Sequence, residues 1–80
     1  MNVGMLWFDN DPHTGLASKV GKAADYYRQK YGKPADLCLV NPAMLGEKPD
    51  LVDGHAGKVA VRPQRSILPG HLWIGTEDTI

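Results

Sequence analysis

The sequence predicts a small α/β domain, a three-to-four-stranded mixed sheet with one long amphipathic helix in a βαβ unit. Three observations lead there. Two short runs, 3–8 and 36–41, carry apolar residues on both sides, the pattern of strands covered on both faces. Between them, apolar residues recur at helical spacing. The remaining apolar runs, 58–62 and 71–75, are short and bounded by Gly and Pro. The expected order is β-α-β-(short helix)-β-β, within one domain of 80 residues.

In the first strand, Val3, Met5 and Trp7 point to one side and Gly4, Leu6 and Phe8 to the other. The run ends in Asp9-Asn10-Asp11. The helix is expected over 14–31, where Leu16, Val20, Ala23, Ala24, Tyr27 and Tyr31 make one apolar stripe. Thr14 is the expected N-cap, with Asp11-Pro12 as an alternative start. Gly32 suits the left-handed position past the last turn, and Pro34 prevents continuation. Strand, helix and strand in so short a span imply a right-handed crossover and parallel strands.

Asn41-Pro42 suits the cap and first residue of a short helical turn, "PAML". Residues 46–57 are turn-rich and read as a surface loop. A third strand is expected at 58–62. The segment 63–70 leads to a fourth at 71–75, whose direction the pattern leaves open. The tail, 76–80, reads as frayed.

Nine basic residues balance nine acidic ones. A zero net charge disfavours a dedicated nucleic-acid or membrane-surface binder and eases self-association. With a single cysteine there is no intrachain disulfide, so cytoplasm is the expected compartment. No apolar run approaches the ~18–20 residues that span a bilayer, and the N-terminus lacks the features of a signal peptide.

Ligands of parallel α/β sheets bind beyond the carboxyl ends of the strands. Asp9, Asp11 and His13 follow the first strand, and these are ligand types for a divalent ion. The plainer account makes them strand-end and helix-start polar groups, favourable beside a helix N-terminus without any ligand. Asp-x-Asp after a strand also opens the nucleophile loop of dehalogenase-like phosphatases. His13 stands where that pattern has Thr or Val, so the pattern fails. His13, His55 and His71 have no zinc-site spacing, and Cys38 has no second cysteine. No phosphate-binding glycine loop or nucleophile elbow is present. No cofactor is implied.

Lys19, Lys22, Arg28, Lys30 and Lys33 are the best nucleic-acid signal, set against the plainer account of a solvated helix face. Arg62, Arg65, Ile67, Leu68, His71 and Trp73 crowd one segment with the residue types that dominate protein interfaces.

One helix covers one face of a sheet. The other face must be covered by "PAML", by Leu51-Val52, by Ile67 and Leu68, or by another molecule. The leading expectation is therefore a small non-catalytic interaction protein, a regulator, adaptor or inhibitor. It would bind itself, as a homodimer or other homo-oligomer, or a larger protein. The alternatives are a nucleic-acid accessory protein using the basic helix residues, and a metal-dependent enzyme at Asp9, Asp11 and His13.

Overall fold

A computed structural model describes residues 3–45 and 54–77. Among these residues, five strands form one mixed sheet with a single α-helix on one side. Strand β1 is Val3–Phe8, helix α1 is Leu16–Tyr31, and β2 is Leu37–Val40. A 3-10 turn, Pro42–Leu45, follows. Strands β3 (His55–Ala56), β4 (Val59–Pro63) and β5 (His71–Thr76) come after it in sequence. The order across the sheet is β1-β5-β2-β4-β3.

The β1-α1-β2 unit is present, but its strands are not neighbours. β5 lies between them and runs antiparallel to both, which makes β1 and β2 parallel to each other. β4 pairs parallel with β2. The last strand thus enters the centre of the sheet. Leu72 and Ile74 are fully buried there, while Met5 and Trp7 in β1 are only partly so.

The loop expected over 46–57 divides. Residues 46–53 lie outside the described residues. His55–Ala56 forms a small antiparallel hairpin with β4, where Gly57 takes φ 63. A side chain there would meet the steric cost of positive φ, so glycine suits the turn. At the other end, Thr76 closes β5 and the Glu77 N–H donates to Asp36 Oδ1 at 2.9 Å. Asp36 itself ties three elements at the start of β2. Its N–H donates to Gly75 and its carbonyl accepts from Ala60.

The helix starts two residues later than expected. Its N-cap is Gly15, which makes no side-chain capping bond. Thr14 is not the cap because its hydroxyl donates to Asp11 Oδ2 at 2.8 Å. The C-terminal end matches expectation. Gly32 has φ 76, and its N–H donates to the Arg28 carbonyl at 2.8 Å.

The core lies between α1 and one sheet face. Leu16, Val20, Ala23 and Tyr27 meet Cys38, Val40, Val59, Val61, Leu72 and Ile74. Met44 and Leu45 of the 3-10 turn pack against this same core. Tyr31, expected in it, is 40% exposed. It sits in the last helical turn and stacks on Tyr27 at 4.6 Å between ring centroids.

Candidate functional site: an open sheet face

The strand register defines what the second face carries. Directly opposed residues in paired strands point the same way. One row across the sheet is Leu6, Trp73, Leu39 and Arg62. A second is Gly4, Gly75, Leu37 and Ala60. Phe8 and His71 begin a third, with ring centroids 4.9 Å apart.

This face is apolar and partly bare. Leu6 is 61% exposed and Phe8 59%. Leu39 and Trp73 are half-buried, while Leu37 and Gly75 are buried. Ile67 is half-buried outside the core under α1, but the other expected covers among the described residues do not lie over this face. "PAML" sends Met44 and Leu45 to the helix side. Leu68 is 66% exposed and covers nothing. Leu51-Val52 lies outside the described residues.

Of the interface residues named from the sequence, Arg62, His71 and Trp73 stand on this face. Arg62 makes an exposed ion pair with Glu77 at 3.1 Å. Arg65, Ile67 and Leu68 belong to the connection before β5. Asn41 holds that connection in place, donating from Nδ2 to the Ile67 carbonyl at 2.9 Å while its Oδ1 accepts from the Ala43 N–H. Leu6, Phe8 and Leu39 also stand on this face, outside the segment that the sequence points to as an interface. The two-sided apolar character of their strands was the signal for them.

The carboxylate loop is occupied locally. Asp9 Oδ1 accepts from the Asp11 N–H at 3.1 Å, and Asp11 Oδ1 from the His13 N–H at 2.9 Å. Together with the Thr14 hydroxyl, the His13 N–H holds the Asp11 carboxyl below the usual carboxylate value. Hydrogen bonds to the charged form act in this direction. Among the described residues, no group of three or more His, Cys, Asp or Glu is arranged to hold a metal ion.

The carboxyl ends of the parallel pair β2 and β4 instead border an open cleft of about 550 Å³. Pro42, Pro63, Gln64, Arg65 and Ser66 line it. These side chains include no base paired with a nucleophile. Cys38 is fully buried, and loss of hydration pushes its thiol up to about 12. The protonated thiol packs as a small apolar group.

The basic residues do not all share one face, although Lys19, Lys22 and Lys30 fall within about 80° of one another around the helix. Lys19 is only 9% exposed, so it is not part of a solvated surface. At roughly 100° per residue, Arg28 lies about half a turn around the helix from Lys19. Lys33 is past the helix end. Tyr26 sits between Lys19 and Lys22 around the helix and stacks on Trp7 at 5.1 Å. The Trp7 indole N–H is buried there without a hydrogen-bond partner among the described residues.

Fold and face together define a small mixed α/β domain with a half-covered sheet. No family model, curated protein or solved structure matches this chain. No described helix is long and apolar enough to cross a membrane.

Proposed function

We propose that this is a non-catalytic interaction protein that docks through its open sheet face. Its role is that of a regulator, adaptor or inhibitor, bound to a second copy or to a larger protein. The observation that carries this reading is the contiguous apolar surface of Leu6, Phe8, Leu39 and Trp73, with Leu6 and Phe8 more than half exposed. Exposed apolar area on this scale is stabilised by burial against a partner, at about 25 cal/mol per Å². Aromatic residues and arginine at the rim, here Trp73, His71 and Arg62, suit the centre and edge of such a contact.

The test compares the wild-type chain with Leu6→Thr, which keeps a strand-forming residue at an exposed position but replaces apolar surface with a hydroxyl. Each is immobilised and exposed to extract from the native host, and its mass in solution is measured. The expected result is a specific partner, or self-association, that weakens in Leu6→Thr. A monomer that retains nothing, or retention identical in the variant, removes the reading.

A further inference from the structure

We infer that a second copy of the chain joins this surface at its β1 side, through antiparallel pairing of the two β1 edges that sets the open faces of the two copies side by side; the inference rests on the open-face reading above. β1 is the outermost strand of the sheet, and among the described residues no strand pairs with its outer side. Natural edge strands are commonly protected by charge, proline or a bulge. Val3–Phe8 contains no charged residue and no proline, and its six-residue register with β5 is continuous.

The hydrogen-bonding phase of this edge follows from one bond. The Asp9 N–H donates to the Gly70 carbonyl at 2.9 Å. Asp9 and Gly70 continue the β1–β5 register beyond Phe8 and His71. Bonded and non-bonded pairs alternate in an antiparallel ladder. Trp7 and Met5 therefore bond inward to Leu72 and Ile74, and Gly4, Leu6 and Phe8 direct their N–H and C=O groups outward.

These three residues are self-complementary. A two-fold axis at Leu6 pairs Leu6 with its own copy and Gly4 with Phe8 of the other chain, twice. Shifting the axis to Met5 or Trp7 leaves one of the three without a partner inside the strand. The Leu6-centred register also makes the side chains fit. Gly4 offers no side chain, and the Trp73 indole occupies the space above it. Phe8 of the second chain thus arrives beside Trp73, and the two exposed Leu6 side chains meet at the axis. Two chains of zero net charge approach without long-range repulsion. A contact limited to edge and adjoining side chains is small, so association is concentration-dependent.

The experiment measures mass by light scattering across a dilution series, together with residue-resolved amide exchange on the wild-type chain. Dilute protein should show slow exchange at Met5 and Trp7 but fast exchange at Gly4, Leu6 and Phe8. Concentrated protein should double in mass and become slow at Gly4, Leu6 and Phe8 as well. Leu6→Lys, at an already exposed position, should keep the monomer fold and abolish the doubling. A wild-type chain monomeric at every concentration overturns the pairing; a different protein retained through Leu6 in the capture experiment would still support the docking reading. A dimer that survives Leu6→Lys, or that leaves those three amides in fast exchange, overturns the edge geometry and places the self-contact elsewhere.

Discussion

Trp73 fills the space that a side chain on Gly4 would need. A Cβ built on Gly4 would fall inside the indole and 2.6 Å from the Ile74 carbonyl oxygen. The two residues are diagonal neighbours on β5 and β1, since Trp73 opposes Leu6 and Gly4 opposes Gly75. An aromatic ring over an edge glycine shields exposed strand backbone. The first prediction follows: Gly4→Ala displaces the ring and destabilises the fold by ~1–3 kcal/mol, as overpacking does. Denaturant unfolding measures the loss, and tryptophan fluorescence should report a wetter indole.

The inserted strand β5 carries much of the core. Leu72 and Ile74 are fully buried between α1 and the sheet. Leu72→Ala should cost ~2–5 kcal/mol and Ile74→Val ~0.5–1.5 kcal/mol. A chain of this length has only ~4–12 kcal/mol in total. Leu72→Ala should therefore melt well below the wild type, by calorimetry or circular dichroism, whereas Ile74→Val should shift the melt only slightly.

Cys38 couples stability to alkaline pH. Its thiol is held protonated up to about 12 in the fold, against an ordinary value of 9.0. A group whose pKa is raised by folding contributes stability that is complete below its unfolded value and lost as pH rises. The unfolded chain ionises above about pH 9 while the native chain does not, so stability should fall from there upward. Cys38→Ala should remove that part of the slope in unfolding titrations. A thiol reagent at neutral pH should react slowly with the native chain and quickly in denaturant.

Asp11 behaves in the opposite sense. Its carboxyl is held below the ordinary 3.8, first by the His13 N–H and then by the Thr14 hydroxyl. Stability from this group is present above 3.8 and lost as pH falls through the lower native value. Thr14→Ala should move the Asp11 titration back toward 3.8 in carbon-detected NMR. A Thr14→Ala chain whose Asp11 titrates as in the wild type would remove the hydroxyl from the account.

The Arg62–Glu77 pair is exposed on both sides. Arg62→Ala should change stability by under ~1 kcal/mol, because water and salt screen such pairs. A larger loss in denaturant unfolding would mean that the Arg62 stem packs on the open face more than its charge matters.

Local chemistry made the helix and the strand positions readable. The stripe from Leu16 to Tyr27, the left-handed Gly32 and the two-sided apolar runs each depend on residues close together in sequence. The helix start was misplaced because Thr14 had a competing acceptor, Asp11, that spacing alone does not reveal. The short β3 was hidden because two residues carry no periodic pattern. Asp9, Asp11 and His13 were legible as polar groups at a strand end, but only their geometry shows each carboxylate accepting a neighbouring backbone N–H.

What the sequence determined by itself was that two strands are apolar on both sides and that one helix is available to cover them. Only the tertiary structure decided that β5 enters between β1 and β2, because cross-strand pairing joins residues about seventy positions apart, as at Val3 and Thr76. That insertion leaves β1 at the edge and turns Leu6 and Phe8 outward. Which apolar side chains a sheet exposes is set by strand order, a property of long-range hydrogen bonding that no local pattern encodes.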